Sequence, residues 1–183
     1  MTARVNADLL DRDWIAARIP HSGSMCLLDE VIEWSAERIC CRATSHLDPH
    51  NPLRAHGMLA AICGIEYAAQ AMAVHGAVLG AQANAASARP RVGFLTSVRD
   101  VEAHVERLDA LDGPLSIEAE RLSGGANNLM YAFTLRSCDR LLLSGRATVM
   151  LDAGDALTRR TDPHPAAVQT EPAADRQPES PTP

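Results

Sequence analysis

The stretch MLAAICGIEYAAQAMAVHGAVL, residues 58–79, decides the fold of this chain. Apolar side chains recur through it at steps of three and four residues, as at Met58, Ile62, Ile65 and Met72, which is the period of an α-helix. Alanine and glycine fill most of the other positions, so the helix has almost no polar face and should be buried on nearly all sides. Small residues would also let a sheet approach its backbone closely. The pattern therefore predicts a central helix wrapped by strands.

A membrane-spanning helix is the alternative interpretation of this stretch. Glu66, Gln70 and His75 lie inside it, and polar or ionisable side chains are costly in the hydrocarbon region. No part of the chain holds 18 uncharged apolar residues in a row, and the first twenty residues lack the basic end and apolar core of a signal peptide. We therefore predict no membrane span and a cytoplasmic location.

Extended segments flank the helix on both sides. Before it, residues 25–34 and 38–44 have strand character, and the polar turn 35–37 between them predicts a hairpin. After it, four further strands are predicted at 92–105, 115–122, 129–136 and 141–151. Asp-Gly-Pro and Gly-Gly sequences supply turns between them, so these strands suit an antiparallel meander. The predicted fold class is α+β, an antiparallel curved sheet wrapped around a long central helix.

Both ends of the chain differ from this central domain, which spans residues 20–152. Residues 1–19 form an N-terminal helical segment, with Asn6 as its cap and Pro20 as its stop. Residues 153–183 are rich in Pro and Ala and contain almost no large apolar side chain. Such a segment buries too little surface to offset the entropy of ordering, so we predict a disordered tail.

Composition excludes several classes of function. The formal net charge is −6 and aromatic residues make up 3% of the chain, so neither a phosphate-binding surface nor a base-stacking platform is visible, and nucleic acid is not an expected partner. The five cysteines have no CxxC spacing, and we interpret them as reduced core residues. We expect no metal site.

Outside the helix, the loop 46–56 is the segment whose side chains are best suited to catalysis or binding. It contains two prolines, an asparagine and the histidines His46, His50 and His56 within eleven positions. Prolines at this density argue against regular structure. Long loops beside a rigid element often carry function, so the loop histidines become candidate site residues.

Two motifs, one before the loop and one in the helix, resemble motifs that occur in the same order in a known family. The run IPHSGSMCLLDEV at 19–31 and the helix segment GIEYAAQAM at 64–72 look like the corresponding segments of bacterial 3-hydroxyacyl-acyl carrier protein dehydratases. More narrowly, the chain is similar to the small dehydratase-like proteins of aryl polyene and xanthomonadin-type pigment pathways. The resemblance implies a hotdog fold over residues 20–152.

The resemblance also implies a chemistry. In that family a loop histidine removes the proton next to the thioester carbonyl, a helix carboxylate handles the departing hydroxyl, and a backbone amide at the helix start polarises the carbonyl. Glu66 matches the helix carboxylate, and burial on an apolar helix would favour its protonated, donating form. A buried glutamate bonded to a backbone or partner group is the structural alternative.

The position of the family's loop histidine does not match a single residue of this sequence directly. The family's Gly-His-Phe-Pro-Gly run is replaced here by PLRAHGML at 52–59. His56 lies next to a glycine near the helix start, and His50 is the other candidate base. His21 matches a family histidine that belongs to the scaffold, so we interpret it as a packed or turn-bonding residue.

Three further residues are candidates for substrate binding. Gly57 would lie at the helix start, where a backbone amide could meet the thioester carbonyl. Gln70 follows Glu66 by one turn and shares its helix face, so it could hydrogen-bond that carboxylate. Arg54 could meet the phosphate of a phosphopantetheine-linked acyl chain. The resemblance implies no cofactor.

Three functions remain open from the sequence. The first is a dehydratase acting on 3-hydroxyacyl thioesters carried by an acyl carrier protein. The second is a non-catalytic hotdog subunit that pairs with an active paralogue, and the third, less favoured, is a thioesterase. Hotdog domains usually pair edge to edge, so we predict a homodimer or a heterodimer with a second hotdog protein.

Overall fold

The computed structural model describes residues 10–82, 93–125 and 127–151. Two α-helices and six β-strands follow one another along these residues. Their bounds are α1 (Arg12–Ala16), β1 (Glu30–Trp34), β2 (Arg38–Ala43), α2 (Gly64–Gln82), β3 (Gly93–Ala103), β4 (Leu115–Gly124), β5 (Asn128–Ser137) and β6 (Arg140–Leu151).

The six strands form one antiparallel sheet in the order β1-β2-β4-β5-β6-β3. Helix α2 packs on one face of it, against β2, β4 and β5. This is the hotdog fold, which confirms the predicted fold class and the predicted hairpin of β1 and β2. By length and composition alone Ala61–Gln82 could cross a membrane, but its packing is that of a core helix.

The predicted meander is correct for β4, β5 and β6 and wrong for β3. Among the described residues, strand β3 pairs with β6 alone, at the edge of the sheet opposite β1. The reason is that α2 carries the chain across the sheet before β3 begins, and β4 then returns to pair with β2 in the middle of the sheet. Local sequence patterns do not contain this crossover.

The core lies between α2 and the inner face of the sheet. Alternate residues of the central strands point inward, so Ile117 and Ala119 of β4 and Phe133 and Leu135 of β5 are all buried. From the helix side the buried apolar residues are Tyr67, Ala68, Ala71, Met72, Val74 and Val78. Burial of this apolar surface is the main favourable contribution to folding.

Gly64, the first residue of α2, brings the helix start close to the sheet. A β-carbon built there would lie 2.7 Å from Leu135 Cδ2 and 2.8 Å from Leu143 Cδ2, and both leucine side chains are completely buried. The absence of a side chain therefore sets how closely α2 approaches β5 and β6. It also fixes the height of the first helical turn above the sheet.

A polar contact ties the middle of α2 to the sheet. His75 is completely buried, and its Nδ1 lies 3.1 Å from Tyr131 Oη while its Nε2 lies 2.9 Å from the Ser35 carbonyl oxygen. Because a carbonyl only accepts, Nε2 carries the proton and Tyr131 donates to Nδ1. Burial lowers the pKa of His75, so the ring is neutral near pH 7.

The start of α2 differs from the predicted position at residue 58. A 3₁₀ turn, Ala61–Cys63, precedes the α-helix, and Leu59 lies in extended backbone before it. The Leu59 carbonyl accepts from Leu108 N at 2.8 Å, and Ala61 N donates to the Glu106 carbonyl at 2.9 Å. These long-range backbone bonds hold residues 59–61 in a bridge that local helix propensity cannot anticipate.

The N-terminal part also departs from the prediction. Helix α1 is shorter than expected, and its cap is Asp11, whose side chain accepts from Trp14 N at 2.9 Å. The predicted cap Asn6 lies outside the described residues, as does the predicted tail 153–183. Strand β1 begins at Glu30 and not at residue 25, because the preceding backbone bonds to a side chain of α2 described below.

The two edges of the sheet differ. Strand β1 has only five residues, and Val31 N donates to the Leu10 carbonyl at 2.9 Å, so the start of this edge is covered. Strand β3 has eleven residues, and its Phe94 and Leu95 side chains are 40% and 41% exposed. Strand β3 is therefore the edge available for pairing within the described part of the chain.

We expect Gly64→Ala to lower the free energy of unfolding by about 1 kcal/mol, because overpacking against Leu135 and Leu143 outweighs the better helix propensity of alanine. The matched control is Gly76→Ala, since a β-carbon at Gly76 would meet no atom within 4 Å. That change should raise the free energy of unfolding by up to about 1 kcal/mol. Urea unfolding followed by circular dichroism measures both, and equal stabilisation by the two changes would contradict the close approach.

Candidate active site

Glu66, the third residue of α2, is the centre of the candidate site. Its side chain is 33% exposed, so it is partly open to solvent and less buried than the sequence pattern predicted. Oε1 lies 3.1 Å from His21 Nε2 and accepts a hydrogen bond from Gln70 Nε2 at 2.9 Å. The helix carboxylate is thus held by one residue from its own helix and one from the Pro-His segment, residues 19–31.

Gln70 is completely buried and joins the Pro-His segment to α2. Its Oε1 accepts from Leu27 N at 2.9 Å, and its Nε2 donates to the Met25 carbonyl at 2.8 Å as well as to Glu66. The bond to Leu27 is buried and the other two are partly buried, and an unsatisfied amide on so enclosed a side chain would be costly. The predicted contact between Gln70 and Glu66 is present, together with two backbone bonds that the sequence did not indicate.

His21 follows Pro20, after a short turn that leads away from the end of α1. Its side chain is 26% exposed, and its Nδ1 is shielded from solvent and has no hydrogen-bond partner among the described residues. Sequence reasoning assigned His21 to the scaffold. The structure brings it to the carboxylate, so it belongs to the site as well.

The two loop histidines lie elsewhere. The side chain of His50 is 91% exposed, and its Nδ1 lies 3.4 Å from Asp48 Oδ1. His56 is exposed on a turn. Within the described residues, neither ring comes within ion-pairing distance of Glu66 in this chain. The role of His50 or His56 as the base remains a prediction.

A tight turn presents His56 and Gly57. Ala55 N and Met58 N each bond to the other residue's carbonyl, at 2.9 and 3.0 Å. Both central residues have positive φ, 52° at His56 and 75° at Gly57, as a type I′ turn requires. The glycine accommodates this conformation without strain, whereas the histidine is held in it by the flanking bonds.

Arg54 holds the histidine loop in place. Its side chain is 16% exposed, its Nε donates to the Asp48 carbonyl at 2.9 Å, and its Nη2 donates to the His46 carbonyl at 3.2 Å. Nη1 donates to Asp109 Oδ2 at 2.8 Å. With its donors occupied inside the protein, Arg54 anchors the loop, and a phosphate would compete with these bonds.

Asp109 completes the anchor from the segment after β3. Its side chain is 3% exposed and accepts hydrogen bonds from Arg107, from Arg54 and from Leu59 N. The hydrogen bonds from Arg107 hold the pKa of Asp109 well below its usual range. One ionised carboxylate thus joins the histidine loop, the backbone before α2 and the segment that follows β3.

A second polar cluster, unforeseen from the sequence, lies beside Glu66. Tyr67 is buried, and its hydroxyl lies 2.9 Å from Ser45 Oγ and 3.0 Å from Asn51 Nδ2. Ser45 Oγ in turn lies 2.7 Å from the Leu27 carbonyl. Burial raises the pKa of Tyr67, so its hydroxyl stays protonated. A cavity of about 280 Å³ borders this cluster and is lined by Ser45 and Asn51, not by Glu66.

His46 is the most enclosed histidine of the loop. It is completely buried, and neither ring nitrogen has a hydrogen-bond partner of good geometry among the described residues. Burial lowers the pKa of His46, an effect that the nearby Gly113 carbonyl partly opposes. The ring is therefore neutral near pH 7 and fills space beneath the loop.

Metal chemistry has no support in the described part of the chain. No group of three or more His, Cys, Asp or Glu side chains is placed there to hold an ion. The five cysteines are unpaired, and burial raises the pKa of Cys26, Cys40, Cys41 and Cys63. The raised pKa disfavours the thiolate form of these four side chains, which is the form that a nucleophile or ligand needs.

Comparison with known proteins adds a family and a fold. A family model described as "ApeP-like: ApeP dehydratase" matches residues 14–158. The dehydratase heterocomplex ApeI:P from Xenorhabdus doucetiae is similar in structure, with a TM-score of 0.70, 21% identity, and coverage of 81% of this chain and 97% of that chain. A thioesterase from Pseudomonas aeruginosa has a TM-score of 0.47 and 11% identity, covering 67% of this chain and 79% of the other. A comparison with curated protein sequences gives no match.

We expect Asp109→Asn to lower the free energy of unfolding by about 2 to 4 kcal/mol at pH 7, because two arginines lose their shared buried partner. The folded pKa of Asp109 is lowered, so the unfolded state binds the proton first and the contribution is lost as pH falls below about 4. The wild-type and variant curves of unfolding free energy against pH should therefore converge in acid. Asp112→Asn, at an exposed position, is the control and should follow the wild type.

Proposed function

Since this chain belongs to the ApeP-like dehydratase family, we propose that it contributes Glu66 to a 3-hydroxyacyl-thioester dehydratase site shared with a second hotdog chain. The observation that carries this proposal is the anchored and partly exposed carboxylate at the start of α2, without a loop histidine of the same chain beside it. The substrate proposed from the resemblance is a 3-hydroxyacyl chain on an acyl carrier protein.

The proposed reaction needs two groups with opposite roles. A base removes the proton from C2 of the acyl chain, and the electron pair of that C–H bond becomes the C2–C3 double bond. The C3–O bond breaks, and the departing hydroxyl takes a proton from Glu66 and leaves as water. Proton exchange with solvent then returns both groups to their starting state. The products are an enoyl thioester and one molecule of water.

The position of Glu66 suits this chemistry. It lies within the first turn of α2, where the helix dipole favours negative charge on a nearby thioester oxygen. Ile62, in the 3₁₀ turn just before α2, is 54% exposed and could contact an acyl chain. The carboxylate, the helix start and an apolar surface thus adjoin one another.

A partner chain is proposed as the source of the base. His21 is bonded directly to the carboxylate, so it leaves no room for a substrate between the two groups. The similar solved structure is named a dehydratase heterocomplex. Strand β3 offers an open edge with exposed Phe94 and Leu95, and pairing there would extend the sheet into a second chain. If the second chain is a copy of this one, its His56 or His50 is the candidate base.

The second candidate function is a non-catalytic subunit that completes the site of an active paralogue. It is favoured by the distance of His50 and His56 from Glu66 within this chain. In that case Glu66 would be a structural partner of His21 and Gln70 only. A place in aryl polyene or related pigment biosynthesis, and a cytoplasmic location, are proposals that follow from the resemblance.

The test follows water loss by mass spectrometry from a 3-hydroxyacyl chain on an acyl carrier protein, with the chain alone and with co-purified hotdog partners. We expect Glu66→Gln to reduce turnover by at least about 100-fold, since it removes the proton donor. The matched control is Glu120→Gln, because Glu120 is exposed on the opposite face of the sheet. Its turnover should equal that of the wild type.

The outcomes separate the two functions. Turnover that requires Glu66, alone or with a partner, supports the enzyme. Turnover that requires the partner and is unchanged by Glu66→Gln supports the non-catalytic subunit. No turnover under any combination, with an intact complex by gel filtration, contradicts dehydration of the substrate tested.

A further inference from the structure

We propose that His21 and Gln70 are positioning residues. Both donate hydrogen bonds to Oε1 of Glu66, which leaves Oε2 as the oxygen that exchanges a proton with the substrate. This inference deepens the proposed function and rests on it. It assigns the reacting atom of Glu66 and gives His21, which resembles a scaffold histidine, a place in the site. The geometry of the Gln70, His21 and Glu66 side chains supports this inference.

The orientation of the Gln70 amide is fixed by the backbone. Leu27 N is a donor only, so the atom facing it must be the amide oxygen of Gln70. The amide nitrogen then faces the Met25 carbonyl and Glu66 Oε1, and its two hydrogens serve these two acceptors. A flipped amide would place donor against donor at Leu27. Glu66 Oε1 therefore receives an N–H bond from Gln70.

His21 supplies the second donor to the same oxygen. Its Nε2 lies 3.1 Å from Glu66 Oε1, whereas its Nδ1 is shielded and has no acceptor among the described residues. A hydrogen on Nδ1 would be a buried donor without a partner, which is costly. Of the two tautomers, the geometry therefore favours the one with the hydrogen on Nε2, which donates it to Glu66.

The two oxygens of Glu66 are consequently different. Each carboxylate oxygen has two lone-pair directions, and Oε1 uses both for His21 and Gln70. Oε2 has no hydrogen bond within the described residues and is not shielded from solvent. A proton gained or lost by Glu66 is thus carried on Oε2, which is the oxygen open to a substrate.

This arrangement fixes the direction of Oε2 before substrate binds. Glutamate has several rotamers, and two bonds on one oxygen restrict the side chain to a geometry in which the other oxygen faces outward. Holding a reacting group in place lowers the entropic part of the barrier. Loss of the His21 bond should therefore affect the chemical step more than substrate affinity.

The first experiment compares His21→Leu, which removes the donor, with His21→Gln, whose terminal amide can place an N–H near the position of Nε2. In the assembled complex we expect kcat to fall by roughly 10- to 100-fold in His21→Leu, with KM within about twofold of the wild type. His21→Gln should recover most of kcat. His104→Gln, at an exposed position, is the control and should match the wild type.

The second experiment does not depend on activity. The ¹⁵N resonances of the His21 ring distinguish the Nε2–H tautomer from the Nδ1–H tautomer in the isolated chain. We expect the Nε2–H form in the wild type and mixed tautomers in Glu66→Ala. If no substrate turns over, the proposed function fails while this measurement still tests the positioning of Glu66.

Three results would overturn the inference. The first is an Nδ1–H tautomer in the folded wild type. The second is wild-type kcat in folded His21→Leu. The third is equal loss of kcat in His21→Leu and His21→Gln with both variants folded, because the ring itself would then transfer the proton.

Discussion

The structure depends on one buried amide. Gln70 joins the irregular backbone at Met25 and Leu27 to the interior of α2, and the same amide reaches Glu66. Because a buried amide must find partners for its oxygen and both hydrogens, the Pro-His segment can lie in only one register against the helix. That register in turn brings His21 to the carboxylate. Fold and candidate site are therefore specified by the same side chain.

Local pattern predicted the elements well, and long-range contacts account for what it missed. The 3.6-residue period identified α2, and strand character with turn sequences between the strands identified the six strands. In β4 the strand signal is an alternation that arises from one buried face. The true helix start depends on bonds from residues 59–61 to 106–108, far along the chain. The edge position of β3 depends on how α2 crosses the sheet. Neither the helix start nor the edge position of β3 produces a periodic pattern in the sequence.

The site was predicted in part, for a related reason. Glu66 and its neighbour Gln70 lie one helical turn apart, so their contact follows from sequence spacing alone. His21 is 45 positions from Glu66, and long-range contacts such as the bonds of Gln70 to Met25 and Leu27 bring the two together. The Arg54 and Asp109 pair is similar, since a loop arginine looks solvated until its buried carboxylate is seen.

The unequal edges of the sheet limit how many chains can assemble by strand pairing. One edge ends in the short strand β1, whose first residues are already bonded to Leu10 and Asp11, while the other ends in the long strand β3. If chains pair through β3, as proposed above, the pair uses the open edge of each chain once and leaves the partly covered β1 edges outside. An arrangement of this kind forms discrete pairs, whether of like or unlike chains, and gives no route to an open-ended fibre.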